Sequence, residues 1–312
     1  MWLSDRVYRH WRDITNQSKV VGEKHYPDLI IELCLTIKQV YHLPLRQSTG
    51  FLQSIFSLMG LSDLVVPNYS TLSRRSAGLP VKIREQSPNR KIHIAVDSTG
   101  LKVYGEGEWK VRKHGVSKRR TWRKLHLGID VDTQQIVSCV LTDNSIDDAE
   151  MASELLEQLE TPLGNFYGDG AYDKKKCRKA VHQSGGKIIV PPPKNAVIHE
   201  NEPAELISRN RDVERIEQIG RAEWKVEAGY HKRSLSEVAM HRYKSSIGNT
   251  LSTRKFENQV TEAKIGCHIL NVFLIISDSL VLFFSRSLTL PGTGLPTSFD
   301  DIGVCSTLPQ GC

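Results

Sequence analysis

In "GYHKRSLSEVAMHRYK", positions 229–244, reactive groups stand where a helix usually carries its apolar stripe. Tyr230, Arg233, Glu237 and Lys244 recur at offsets of three, seven and fourteen, so a phenol, two cations and a carboxylate share one helical face. Leu235, Val238 and Ala239 supply a separate apolar face for docking. Two further acids stand where strands are expected to end. Asp97 closes "IAVD", and Asp169 lies in "YGDGAYD" with glycine on both sides. Carboxylates gathered at strand ends suit hard divalent cations, which prefer oxygen ligands. Two such ions bridged by three acids polarise a phosphodiester, activate water or a 3′-hydroxyl, and stabilise the leaving oxygen. Arg233, one turn before Glu237, is placed to orient that carboxylate or hold a phosphate. Lys244 suits a nucleic-acid backbone, and Tyr230 a phosphate or a base. Plainer readings stand beside these. Asp-Gly is a common turn, an aspartate after a strand is a common helix cap, and exposed helices often carry an Arg–Glu pair.

The elements that must position these acids follow from hydrophobic period. "KIHIAVD", "KLHLGIDV" and "IVSCVLTD" read as three strands, the first ending at Asp97. "DDAEMASELLEQL" reads as a helix with an acidic start, "GNFYGD" as a short strand running into Asp169, and "DKKKCRKAVHQSG" as a basic helix ending near Gly185. "KIIVPPP" is a strand stopped by proline. This order predicts an α/β domain with a mixed sheet over 90–271. Residues 1–85 read as short helices. Ser70 and Thr71 are expected N-caps for a helix carrying Leu72, Arg74 and Arg75, which fits either a helix-turn-helix DNA reader or a small bundle with a basic turn. "REQSPNRK" at 84–91 is a linker. "SIGNTLSTRKFENQVTEAKIGCHILN" reads as helix through about Asn271, and 272–312 as a poorly ordered tail.

Composition narrows the partners. The chain has 312 residues and a net charge of +7, unevenly placed: eight Lys or Arg and no acid lie between Lys110 and Lys124, flanked by Trp109 and Trp122. Such a run, with Arg119, Arg120 and Arg123 at its centre, suits a polyanion. Six cysteines with no CxxC pair argue against a zinc ribbon or a disulfide framework and fit a reducing compartment. The apolar stretch at 272–284 is short and interrupted by Asp278, so no membrane partner is expected.

Tyr-x2-Arg-x3-Glu-x6-Lys resembles the signature of the bacterial DDE insertion-sequence transposases. "AVDSTGLK", "GDGAYD", "VPNYSTLSRR" and the basic segment "WRKLHLGID" stand in the matching order over roughly residues 25–271. The chain is most similar to the insertion-sequence-five family and its nine-hundred-three subgroup. The resemblance implies an RNase H-like catalytic domain with Asp97, Asp169 and Glu237 as metal-binding triad. It also implies Mg²⁺ (or Mn²⁺) dependence, cleavage at terminal inverted repeats and strand transfer to target DNA. An N-terminal region reading double-stranded DNA, a homodimer or higher assembly on DNA, and a cytoplasmic, nucleoid-associated location come with it. Asp173 is expected to be a turn acid and His241 at most a DNA contact. The last helix departs from the family's "LNxMxxLGxP" ending at "ILNVFLIISDSLVLFF", as a frameshift or readthrough near Asn271 would produce. An inactive DNA-binding remnant and a nuclease without strand transfer are the alternatives.

Overall fold

Pro27 and Pro44 occupy the N-caps of the first two long helices, α1 (Asp28–Val40) and α2 (Leu45–Leu58), where a missing N–H costs nothing. The third, α3 (Tyr69–Arg75), is capped by Asn68, whose side-chain oxygen accepts from Ser70 N at 2.9 Å. The helix therefore starts earlier than Ser70 or Thr71 would set it, because Asn68 already has extended backbone and an amide that reaches forward. The computed structural model describes residues 8–9, 11–13, 26–84, 90–103, 122–198 and 203–289, without the side chains of 204–205 and 278–289. The basic residues from Lys110 to Arg120, Trp109, most of the linker and the tail beyond 289 lie outside the described residues.

The sheet is mixed, with order β3-β2-β1-β4-β5, formed by β1 (Ile92–Val103), β2 (Trp122–Asp130), β3 (Ile136–Asp143), β4 (Leu163–Tyr167) and β5 (Lys187–Ile189). The first three form an antiparallel meander, and β4 and β5 continue it in parallel with β1. A two-residue strand, β6 (Thr250–Leu251), pairs with Lys102 and Val103. Alternation along β1 sends Ile92, Ile94 and Val96 into a core built with α4 (Ala152–Glu157) and α5 (Lys175–Gln183). Ala95 points the other way, into a small cluster with Val131, Tyr167 and Ile189.

Strand β1 does not end at Asp97. It runs six residues further, with β2 alongside as far as Lys102 and Asp97 paired to Leu127. On its other edge β4 reaches only Ala95 and β6 begins only at Lys102, so Asp97 lies in a gap between two short partners. The sequence pattern ends at Asp97 because apolar alternation ends there, while backbone pairing continues.

Beyond β5 lie two helices that the periodicity left unassigned, α6 (Ala204–Ile219) and α7 (Arg221–Glu227). The single helix expected over 229–244 is two elements: a 3-10 turn, Tyr230–Arg233, and then α8 (Ser234–Ser246). Gly229 at φ +66 makes the reversal before it, a conformation that an L side chain resists. The face of α8 that docks is Ser236, Ala239, Met240 and Tyr243, with Leu235 packed on the Ala95 cluster, whereas Val238 is 42% exposed. Ser236 could join the apolar side because its hydroxyl donates to Arg233 O at 2.7 Å.

The helix expected to begin with "SIGNTLST" and to end near Asn271 instead starts after β6 and runs on to Thr289, as α9 (Phe256–Thr289). Its stretch Phe256–Ser277 has mean hydropathy 1.4 and is long and apolar enough to cross a membrane by composition alone. Ala263, Ile265, Cys267, Ile269 and Leu270 are buried within the fold, as in a core helix. Asn258 and Thr261 donate to Ser73 O and Ser76 O, and Gln39 donates to Glu262 O, so the N-terminal helices are pinned to the start of α9. Residues 1–271 form one compact unit and 272–312 a second.

Candidate active site

Three elements bring the acids together. Asp97 is presented in the β1 gap, on the same face as Ala95 two residues before it. Asp169, two residues past the end of β4, caps a 3-10 turn (Gly170–Tyr172) through Ala171 N at 2.9 Å. Gly168 before it is closely packed, since a Cβ there would sit 3.0–3.1 Å from Cδ2, Cβ and Cγ of Tyr172. A Cβ on Gly170 would meet only Pro191 O at 3.7 Å, an ordinary contact. Tyr172 is buried against Phe166 and fixes the loop from below. Glu237 stands on the first turn of α8 and is the most exposed of the three, at 58% of its side chain against 20% for Asp97.

One guanidinium joins all three. Arg233 Nη2 donates to Asp97 Oδ2 at 3.0 Å and lies 4.0 Å from Asp169 Oδ2, while Nη1 is hydrogen-bonded to Glu237 Oε1. Burial opposes the charge on Arg233, but Asp97, Glu237, Tyr230 and Asp169 outweigh it and raise its pKa. Its Nε is buried without a hydrogen-bond partner. Asp97 is also shifted up: burial dominates over the Ser98 N–H and Arg233, and Asp169 and Glu237 push the same way. Among the described residues no group of three acids, imidazoles or thiols is assembled closely enough to hold an ion, and Arg233 fills the position between the acids. The donor set is nevertheless three carboxylates around a point that already demands a cation. With a half-satisfied guanidinium as its occupant, that set fits a hard divalent ion.

The other expected contacts separate into two groups. Tyr230 packs its ring on the Ala95 cluster, tilted against Trp224 at 6.4 Å with Lys225 Nζ at 5.3 Å, so its hydroxyl rather than its face remains for a ligand. Lys244 is exposed in the last turn of α8, about 10 Å along the axis from Glu237 at a rise of about 1.5 Å per residue. His241 is exposed on the same helix and Arg74 on α3. Arg75 is partly exposed, donates to Tyr26 O and pairs with Asp28. Arg123 is held by Asp143, Gln259 and the Phe256 ring. Arg119 and Arg120 lie outside the described residues.

Asp173 is more than a turn acid. It is 2% exposed in its side chain and paired with Arg178 and Arg209. The usable sequence signal was an aspartate five residues ahead of an arginine on an otherwise lysine-rich helix.

Three acids that converge from a strand, a strand-end loop and a helix make an oxygen-rich site of the kind that suits a divalent cation. Comparison with known families makes the reading specific. Family models described as "Transposase DDE domain" match residues 88–272 and residues 1–106. The chain belongs to the DDE transposase family. It is accordingly a DNA transposase, an enzyme that cleaves DNA and transfers strands. Among solved structures, a piggyBac transposase synaptic complex with hairpin DNA aligns over 96% of this chain and 85% of that chain, at 14% identity and a TM-score of 0.44. A simian T-cell lymphotropic virus intasome in complex with PP2A regulatory subunit B56 gamma aligns over 71% of this chain and 67% of that chain, at 15% identity and a TM-score of 0.27. Likenesses this distant carry no residue-level correspondence.

Proposed function

We propose that the chain is the transposase of an insertion sequence of the five family, nine-hundred-three subgroup, and that Asp97, Asp169 and Glu237 are its catalytic acids. The observation that carries the reading is the single guanidinium of Arg233 reaching all three carboxylates from three separate elements. Exposed surface pairs do not bury a cation among three acids, since each loses solvation for little gain. The strand order, a meander continued by two parallel strands, supports an RNase H-like domain.

DDE transposases use divalent ions. In this chain the three acids would hold Mg²⁺ or Mn²⁺, which supplies Lewis-acid charge to the attacking and leaving oxygens. The chain's own residues do the rest. Arg233 leaves the acids and holds a phosphate at the element end, where its fork suits two non-bridging oxygens. The Tyr230 hydroxyl and Lys244 contact the adjoining backbone, and both fix the register of the end rather than its sequence. Water attacks phosphorus at the end of the element and the P–O3′ bond breaks, leaving a 3′-hydroxyl on the element and a 5′-phosphate on the flank. That 3′-hydroxyl then attacks a target phosphodiester, and the target's own P–O3′ bond breaks as its 3′-hydroxyl leaves.

The N-terminal helices, with exposed Arg74, and the basic segment containing Arg119 and Arg120 are the surfaces for terminal inverted repeats. Two ends require at least a homodimer on DNA, and the reaction belongs in the bacterial cytoplasm beside the nucleoid. Neither an inactive remnant nor a nuclease without strand transfer is favoured by the family match. The test is a reaction on end-labelled repeat DNA with Mg²⁺ or Mn²⁺. Wild type nicks at the repeat end, while Asp97→Asn, Asp169→Asn and Glu237→Gln bind the DNA without nicking it. Full nicking by any one of them removes that residue from the triad.

A further inference from the structure

The loop of the second acid and the helix of the third are linked by more than Arg233. Asp173, four residues after Asp169, ends the 3-10 turn that Asp169 caps. Its Oδ1 accepts from Arg178 Nε on α5 at 2.7 Å, and its Oδ2 from Arg209 Nε on α6 at 3.2 Å. Arg178 is fully buried. Arg209 also donates to Val197 O at 3.2 Å, so the strand of chain before α6 is held by the same cation.

From α6 the contacts continue to the third acid. Asp212 accepts from Trp224 Nε1 on α7 at 3.2 Å, and Arg215 on α6 pairs with Glu227 on α7 at 3.0 Å. Arg221 donates to Pro192 O at 2.7 Å, tying α7 back to the end of β5. Trp224 is buried and lies against Tyr230, the first residue of the 3-10 turn that delivers Arg233 and, four residues on, Glu237. The α6–α7 hairpin thus spans from the Asp169 loop to the Glu237 helix. It is charged along its length, and it is anchored by buried Leu206, Val213 and Trp224 and by the pairing of Arg209 with buried Asp173.

We propose that Asp173 is a positioning residue and that the α6–α7 hairpin is a strut setting the separation of Asp169 and Glu237. The inference rests on the reading of those two acids as cation ligands. When Arg233 is withdrawn to a phosphate, the strut is what keeps the carboxylates at a distance that one ion can span. Supporting groups of this kind typically change metal affinity by about 10- to 100-fold when lost.

The test measures Mn²⁺ binding to the full chain without DNA, by the loss of the free-ion paramagnetic resonance signal, together with affinity for repeat DNA in EDTA. Asp173→Asn leaves Arg178 buried without its partner and can fail to fold. Arg209→Gln and Trp224→Phe, which keep that pair and keep the packing respectively, then decide the matter. Both are expected to weaken Mn²⁺ binding about tenfold, with DNA affinity in EDTA unchanged. A core variant remote from the strut, Leu52→Ala, is expected to lower the melting temperature without changing Mn²⁺ affinity. Folded Arg209→Gln and Trp224→Phe proteins with wild-type Mn²⁺ affinity would overturn the strut. If instead the triple variant of Asp97, Asp169 and Glu237 to alanine binds Mn²⁺ as wild type does, the ligand reading falls, and the strut with it.

Discussion

Arg233 Nη2 stands 3.0 Å from Asp97 Oδ2, on the one stretch of β1 that neither β4 nor β6 covers. The contact crosses 136 residues of sequence and joins the 3-10 turn before α8 to the middle of the sheet. On the proposed reading of the three acids as ion ligands, it makes the arginine a stabilising part of the metal-free protein and an obstacle to loading it.

Replacing that arginine should therefore have opposite effects with and without metal. In EDTA, Arg233→Ala leaves three carboxylates facing one another and lowers unfolding free energy by about 1.5–3 kcal/mol, the range for a hydrogen bond to a charged group. Saturating Mn²⁺ should restore more stability to the variant than it adds to wild type, because no guanidinium has to be displaced. Denaturant titrations of both proteins in the two conditions read this out. Equal gains from Mn²⁺ in the two proteins would count against displacement.

Asp169 has a structural duty that can be separated from its charge. Its side chain caps the turn through Ala171 N, and asparagine can do the same. Asp169→Asn should be more stable than Asp169→Ala by about 1 kcal/mol, while both lose DNA cleavage. Equal stabilities by denaturant titration would mean that the cap contributes nothing.

Gly168 tests how tightly the Asp169 loop is held. A methyl group at 168 would press on the Tyr172 ring. Gly168→Ala should cost about 1–3 kcal/mol as an overpacked site, and a second change of Tyr172→Leu should recover part of that cost. Thermal melts of the single and double variants decide it.

His126 predicts a pH dependence distant from catalysis. It is fully buried on β2, its Nε2 is hydrogen-bonded to Thr142 Oγ1 at 2.9 Å, and its Nδ1 has no hydrogen-bond partner. Burial pushes its pKa down to about 4, with Lys124 acting the same way and Asp148 opposing. The unfolded chain takes up this proton first, so the stability is present above about pH 6.5 and is lost as pH falls towards about 4. The loss is at most roughly 3.5 kcal/mol, since each tenfold difference in proton affinity between the folded and unfolded chain is worth about 1.4 kcal/mol. His126→Gln should flatten the stability profile between pH 6.5 and 4, measured by urea titration. An unchanged profile would mean that other groups govern acid unfolding.

Much of the site was legible because it rests on residue types at fixed spacing. The four-residue signature of 230–244 and the two aspartates could be named from sequence, and so could β1 to β5, the first two from apolar alternation. What was not legible depends on pairing and packing. The true extent of β1 is set by β2, a partner whose register no local pattern encodes, and β6 is two residues long. The reversal before the 3-10 turn is made by Gly229, and the docking face of α8 includes Ser236, which a purely apolar pattern misreads. Asp173 and Arg209 are 36 residues apart in sequence, so their pairing exists only in three dimensions. The family match ends at residue 272, where the second compact unit begins.

The site turns on whether Asp97, Asp169 and Glu237 hold a divalent ion in the place Arg233 takes without one. Anomalous diffraction from crystals soaked in Mn²⁺ decides this. A manganese peak bounded by the three carboxylates is expected, with the Arg233 guanidinium turned away from Asp97. A peak elsewhere, or Arg233 still paired with Asp97 at saturating Mn²⁺, would rule the exchange out.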